Sequence, residues 1–330
     1  MIFLCQNCGM TYPIDGLKYK CDCGGLFILK KEGYEEVKIT VSLGEVKTPI
    51  LMRNIYGIDI FLKLDYLMPT GSFKDRGALV LINKLKELGI KEVVEDSSGN
   101  AGASIAAYCA AAGIKCNIFV PENTSPGKIK QIEAYGANIV KVPGSRDDVA
   151  KAVASAAEKI YYASHVYNPL FFEGTKSLAY EIYEQIGIPD YILVPTGNGT
   201  MLLGIYNGFK EIGKLPKIIA VQSENCSPIY RRFYGLQSVP VKETIAEGIA
   251  VGTPARINEI IETVKESGGD IITVSDEEVK NAWNILCLMG FYVEYTSATA
   301  VAAVKKYFKD CLERNELKIL VPLTGIGLKK

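Results

Sequence analysis

The 330-residue sequence contains one histidine, His165, and one tryptophan. A lone imidazole cannot build a multi-histidine metal centre, and no candidate nucleophile stands beside this one, which disfavours both His-metal and serine-triad chemistry. No sign of charge predominates: Lys+Arg and Asp+Glu both number 37, for a formal net charge of +0. No overall field therefore draws the chain to nucleic acid or to an anionic membrane, and a small-molecule partner is favoured. No apolar run is long enough to span a bilayer. The opening residues, MIFLCQNCGM, carry neither a basic leader nor the apolar stretch of a signal peptide, so a cytosolic location is expected.

Hydrophobic residues make up 48% of the chain and charged residues 22%, a balance that supports a large buried core and argues against general disorder. The length exceeds what a single hydrophobic core usually accommodates, so two lobes are expected. From Lys91 the pattern is regular. KEVVEDS reads as a strand, NAGASIAAYCAAAG as a helix, KCNIFVPE as a strand, SPGKIKQIEAYG as a helix and ANIVKVPG as a strand. SRDDVAKAVASAAEKI continues as a helix starting near Ser145 or Asp147, and YYASHVY reads as another buried strand that includes His165.

A second series follows. EGTKSLAYEIYEQIG reads as a helix, YILVPTG as a strand, TMLLGIYNGFKEIG as a helix and KIIAVQSE as a strand. Helices are then expected around PARINEIIETVKES, EEVKNAWNILCLMG and SATAVAAVKKYFKDCLERN, with strands at DIITVSD and LKILVPLTG. Two open, mostly parallel, twisted α/β sheets with helices on both faces fit this order. Ligands of such sheets lie at the carboxyl ends of strands, in the loops that lead into helices.

Four such loops are small and polar: PTGSFKDRG (69–77), SSGNAG (97–102), PTGNGTML (195–202) and PLTGIG (322–327). In the first, Lys74 opens a helix, beside amides that favour anions. Burial there would lower its pKa, fitting it for Schiff-base formation and then for proton transfer. The plainer alternative is a surface lysine paired with Asp75. GNGT offers backbone amides without side-chain obstruction, as a phosphate requires, yet lacks both the lysine of a nucleotide P-loop and the GxGxxG spacing of a dinucleotide site. A simple monophosphate fits it best, and a tight strand-to-helix turn is the alternative. SSGNAG is a similar turn, in which Asn100 can donate a side-chain hydrogen bond and the amides can hold a carboxylate.

GSFKDRG, SSGNAG, GNGT and TGIGLK, in this order, resemble the pyridoxal phosphate (PLP) enzymes of the tryptophan synthase β class, fold type II. The resemblance runs over essentially the whole chain and takes in NPLFFEGTKSLAYEI and EYTSATAVAA. It implies that Lys74 is the Schiff-base lysine and that Asn100 hydrogen-bonds the cofactor's 3′ oxygen. Gly197, Asn198, Gly199 and Thr200 would form the phosphate cup. Thr324 would set a hydroxyl against the pyridine nitrogen, where a helix N-cap is the alternative role. A hydroxyl cannot protonate that nitrogen as an aspartate would, which suits elimination and replacement at Cβ and Cγ more than transamination.

Within the class the chain is most similar to the threonine synthases, lyases that convert O-phosphohomoserine and water to threonine and phosphate. That likeness implies substrate contacts from Ser72, Ser97, Ser98, Ala101, Asn168 and Lys176, with Arg76 as a further candidate or as the structural partner of Asp75. Two departures stand out: NPLFFEGTK replaces the NPxxLEGQK common in those enzymes, and TGIGLK replaces TGHGLK. A serine or threonine dehydratase, or a β-replacement enzyme such as cysteate synthase, is the alternative within the class. The expected organisation is a Cys-rich segment at 1–28, a large PLP-binding domain at 29–57 and 163–330, and a small mobile domain at 58–162. A homodimer acting on a small amino-acid substrate, without nucleic acid or membrane, is expected.

Cys5 and Cys8 form a CxxC, and Cys21 and Cys23 a CxC. Four thiolates at this spacing are a candidate zinc set, with free thiols or disulfides as alternatives. A nucleic-acid-binding ribbon on an inactive body would require a basic, aromatic patch, which residues 1–28 lack. Cys109, Cys116, Cys226, Cys287 and Cys311 read as inert thiols.

Overall fold

The computed structural model describes residues 1–33, 35–308 and 317–328. In chain order the first elements are β1 (Ile2–Cys5), β2 (Thr11–Tyr12), β3 (Phe27–Lys30), β4 (Ile50–Ile55), β5 (Ile58–Lys63), α1 (Lys74–Glu87), β6 (Glu92–Glu95) and α2 (Asn100–Ala112). Next come β7 (Lys115–Pro121), α3 (Pro126–Ala134), β8 (Asn138–Val142), α4 (Arg146–Ala156), β9 (Tyr161–Tyr162), α5 (Pro169–Thr175) and α6 (Ser177–Ile186). The remainder are β10 (Tyr191–Pro195), α7 (Thr200–Ile212), β11 (Lys217–Ser223), α8 (Pro228–Phe233), α9 (Ile257–Glu266), β12 (Asp270–Val274), α10 (Asp276–Leu288), α11 (Tyr295–Phe308) and β13 (Ile319–Pro322). Cys311 and the far end of the helix expected from SATAV onward lie outside the described residues.

The chain divides into two compact units, one of Met1–Glu45 with Lys74–Thr175, the other of Val46–Phe73 with Lys176–Leu328. The first unit contains the antiparallel sheet β2-β1-β3 and a four-stranded parallel sheet of order β8-β7-β6-β9. β6 leads through α2 and α3 out to β8, and the chain then returns to β9 on the other side of β6. The order therefore reverses between β6 and β9, opening the kind of crevice in which ligands of α/β sheets sit.

The second unit holds a six-stranded sheet of order β12-β11-β10-β13-β5-β4, parallel except for the β4–β5 hairpin. Its reversal falls between β10 and β13, whose carboxyl ends lead into Thr196–Thr200 and Leu323–Gly327. Both strands are almost entirely buried, as expected where helices cover both faces of a parallel sheet. β5 belongs to this sheet through its pairing with β13, α1 to β9 belong to the first unit, and the chain passes between the units at 45/46, 73/74 and 175/176.

Two local readings change. YYASHVY is a strand only at Tyr161–Tyr162, because the Ser164 hydroxyl accepts hydrogen bonds from the Val166 and Tyr167 amides and turns the chain toward α5. EGTKSLAYEIYEQIG is two helices, α5 and α6; the Thr175 hydroxyl donates back to the Phe172 carbonyl at their junction. The helix expected near Ser145 starts there with a full capping box, Ser145 and Asp148 satisfying each other's amides. Among the described residues no helix is long and apolar enough to cross a membrane.

Candidate active site

In the first unit, Lys74 is the opening residue of α1 and is half-buried, with its Nζ 5.8 Å from the centre of the Phe171 ring. Two motif glycines bring α1 and α5 together. A Cβ on Gly77 would lie 2.2 Å from the Phe171 ring, and one on Gly174 would lie 2.1 Å from the Arg76 carbonyl oxygen. The glycines of KDRG and FEGT thus set how closely Phe171 approaches the lysine's helix. Asp75 and Arg76 are buried, and the Ser104 hydroxyl donates to Asp75 Oδ1 at 2.6 Å.

The 97–102 loop joins β6 to α2, with Gly99 at the N-cap and no side chain capping the helix. Ser97, Ser98 and Asn100 are partly exposed, whereas Ala101 is buried. The Ser97 hydroxyl accepts from the Gly99 amide at 3.3 Å. Gly102 is required by close packing, since a Cβ there would fall 1.8 Å from the Ser97 carbonyl oxygen. The loop is held by its own contacts while the first-turn amides of α2 precede the helix's hydrogen-bond ladder, an arrangement that suits a carboxylate.

At the reversal point of the same sheet, Glu95 ends β6 and His165 follows β9. Glu95 Oε1 lies 2.5 Å from His165 Nδ1, and Glu95 Oε2 has no hydrogen-bond partner among the described residues. Burial pushes the Glu95 carboxyl up to about 8, against the opposing pull of the Lys74 charge. Burial, reinforced by Lys74, pushes the His165 imidazole down to about 3. Asp96 is also raised, by burial and then by Glu95, and accepts from the Tyr162 hydroxyl at 2.7 Å. His165 is thus a neutral ring that orients a buried acid within the electrostatic reach of Lys74.

In the second unit, Gly197–Thr200 follow β10 and start α7. Gly199, at φ 79°, is the N-cap and offers no side chain to cap the helix. The first intrahelical hydrogen bond runs from the Leu203 amide to the Gly199 carbonyl, so the amides of Thr200, Met201 and Leu202 precede the ladder in residues at most 3% exposed. A helix N-terminus of this kind favours an anion, and a phosphate group suits it. A Cβ on Gly199 would lie 2.5 Å from Ile260 Cδ1 and one on Gly197 3.0 Å from Ile249 Cα, so packing as well as conformation requires both glycines.

Thr324 follows β13 and packs against Ser297. The Ser297 hydroxyl, on α11, accepts from the amides of Thr324 at 2.8 Å and Gly325 at 3.2 Å, which occupies both of its lone pairs. Its own proton then goes to Thr324 Oγ1 at 3.0 Å, the better placed of two acceptors, the Gly325 carbonyl lying at 3.5 Å. Thr324 in turn is left to donate, with Glu294 Oε1 the nearest acceptor at 3.4 Å. A hydroxyl held as a donor suits an unprotonated ring nitrogen. Ser72, also in this unit, is fully buried beside Gly325 in an isolated bridge, and its Oγ has no hydrogen-bond partner among the described residues.

The structure gives two substrate candidates local tasks. Asn168 accepts from the Leu170 amide at 3.0 Å and donates to the Tyr161 hydroxyl at 2.9 Å, capping α5. Lys176 is buried with its Nζ 2.6 Å from Glu211 Oε1. Taken by itself, the first unit offers an amine and a buried acid, and the second a buried helix start and a donor hydroxyl, each a kind of group that pyridoxal phosphate requires.

A family model described as pyridoxal-phosphate dependent enzyme matches residues 41–325. The chain is 34% identical to a threonine synthase of Methanocaldococcus jannaschii, over 100% of this chain and 93% of that protein. It is 36% identical to a threonine synthase of a Bacillus species, over 88% of this chain and 85% of that protein. Among solved structures, maize serine racemase superposes with a TM-score of 0.77 at 24% identity, covering 86% of this chain and 89% of that one. Serine racemase from Dictyostelium discoideum gives 0.73 at 28% identity, covering 86% and 93%.

Proposed function

The chain belongs to the pyridoxal-phosphate dependent enzymes, and we propose that within them it is a threonine synthase, converting O-phosphohomoserine and water to threonine and inorganic phosphate. The observation that carries this reading is the near-complete coverage of both chains at 34% identity to a threonine synthase. The likeness to serine racemases supports the fold.

When bound, pyridoxal phosphate supplies an electron sink for the carbanion formed beside the substrate nitrogen. Lys74 is the residue that would hold the cofactor's aldehyde and then, released, take protons from Cα and Cβ. The γ-phosphate would leave, the oxygen of water would add at Cβ, and the three protons released from Cα, Cβ and water would go to Cγ, back to Cα and to the departing phosphate, so atoms balance with water as the sole co-substrate. Amides of Thr200–Leu202, at the Gly197–Thr200 turn, would hold the cofactor's phosphate. Asn100 would donate to its 3′ oxygen, and Ser97, Ser98 and Ala101 would orient the substrate carboxylate. Thr324, turned into a donor by Ser297, would leave the ring nitrogen unprotonated and so favour elimination and addition over transamination.

Phosphate release and threonine formation from O-phosphohomoserine test the reading. Equimolar threonine and phosphate are expected. Deamination of serine or threonine with phosphohomoserine inert would instead assign the chain to the dehydratases.

A further inference from the structure

We propose that Cys5, Cys8, Cys21 and Cys23 bind one zinc ion through four thiolates, fixing the N-terminal ribbon in the unit that carries Lys74. The four Sγ atoms all lie within 4.8 Å of one another. Cys5 and Cys23, Cys8 and Cys21, and Cys8 and Cys23 approach to 3.5 Å. A tetrahedral site with Zn–S bonds of about 2.3 Å has S···S edges of about 3.8 Å, so the thiols already stand close to the spacing a metal needs. Cys8 is equally near Cys21 and Cys23, so the four converge on a common centre instead of sorting into two disulfide pairs.

The backbone around them is built in the same sense. Each pair sits on a tight turn closed by a glycine in the left-handed region directly after its second cysteine, Gly9 at φ 73° and Gly24 at φ 82°. The Gly9 amide donates to the Cys5 carbonyl at 3.0 Å, and the Gly24 amide to the Cys21 carbonyl at 2.8 Å. The CxC turn therefore repeats the closure of the CxxC turn despite being one residue shorter. Gly25 must lack a side chain, since a Cβ there would lie 2.5 Å from Cys5 Sγ. Cys5 and Cys21 are buried while Cys8 and Cys23 are exposed, which leaves the ion a route in.

A ribbon of this size buries too little apolar surface to fold firmly unaided, the situation in which a structural metal contributes most. Phe3, Ile14, Cys21 and Phe27 join the same apolar cluster as Leu81, Tyr161 and Phe171. The Tyr161 hydroxyl donates to the Ile14 carbonyl at 3.0 Å and accepts from Asn168, the cap of α5. The ion would thereby brace the 161–168 turn as well as the ribbon itself.

The test is metal analysis of the full-length protein as purified, with cobalt substitution and thiol counting. One zinc per chain is expected, with thiolate-to-cobalt charge-transfer bands and strong tetrahedral d–d bands in the Co(II) form. Four extra thiols should become reactive once a chelator removes the metal, and Cys8→Ser should lose the zinc and melt at a lower temperature. Should that variant fail to fold, the wild-type cobalt spectrum still decides. Background zinc with four freely reactive thiols, a mass lighter by four hydrogens from two disulfides, or an octahedral cobalt spectrum would overturn the site.

Discussion

Glu95 and His165 meet across the reversal point of the four-stranded sheet, Oε1 to Nδ1 at 2.5 Å, with Glu95 fully buried, His165 mostly so, and neither charge favoured. Strands β6 and β9 are neighbours in the sheet although about 65 residues of helix and strand separate them along the chain. That topology delivers an acid and an imidazole to the lysine's surroundings.

The pair predicts a particular stability profile. His165 falls from 6.5 to about 3 on folding, so between those values the unfolded chain binds more protons and its contribution rises with pH. Glu95 rises from 4.5 to about 8, so between those values the folded chain binds more and its contribution falls with pH. The two nearly cancel from 4.5 to 6.5. Between 6.5 and 8 the loss from Glu95 stands alone and amounts to about 2 kcal/mol. Urea unfolding of wild type and Glu95→Gln across this range checks it: wild type should lose stability relative to the variant toward pH 8, and a constant difference would refute the assignment.

Gly199→Ala combines a left-handed backbone with a Cβ 2.5 Å from Ile260 Cδ1. A cost of about 2–4 kcal/mol is expected from strain and overpacking together. The same change disturbs the amides proposed for the phosphate. Calorimetry should show a lower Tm without ligand, and titration should show weaker binding of pyridoxal phosphate. An unchanged Tm would mean that Ile260 yields freely.

Ser297→Ala should be more damaging to the fold than Thr324→Ala. It leaves the Thr324 and Gly325 amides without their acceptor, at about 1–3 kcal/mol for each buried donor. Thr324→Ala removes only a hydroxyl, and should instead alter the absorption spectrum of bound cofactor, while Thr324→Ser restores it. Equal melting temperatures for the two alanine variants would count against the orientation derived for Ser297.

Asn168→Ala removes the cap of α5 and a partner of Tyr161. A loss of about 1–2 kcal/mol in stability is expected. A large rise in KM with no change in stability would show that the side chain serves substrate instead.

Much of this arrangement was legible before the structure. Parallel strands buried on both faces read as short apolar runs, and the loops behind β6, β10 and β13 announced themselves by small polar residues at strand ends. What escaped notice depends on tertiary pairing. Ser297 sits in an apolar helix whose sequence gives no sign that its hydroxyl will receive two amides from a distant loop. Glu95 reads as an ordinary polar end to a strand, because burial of the β6 terminus follows from β9 returning beside it. YYASHVY, rich in aromatic and β-branched residues, reads as a strand through His165, and the Ser164 turn that ends the strand is a local hydrogen-bond choice that periodicity does not register. Strands β4 and β5 are hard to read from the sequence, since their exposed hairpin face breaks the apolar run.

The central claim is that Lys74 carries the cofactor for threonine formation. The most direct measurement incubates wild type and Lys74→Ala with pyridoxal phosphate, reduces with borohydride, maps the modified peptide by mass spectrometry, and assays threonine and phosphate from O-phosphohomoserine in parallel. The account predicts a phosphopyridoxyl group on Lys74 in wild type, its absence in the variant, and a loss of turnover of at least about 10²-fold. Cofactor fixed to another lysine with turnover intact in Lys74→Ala would contradict it.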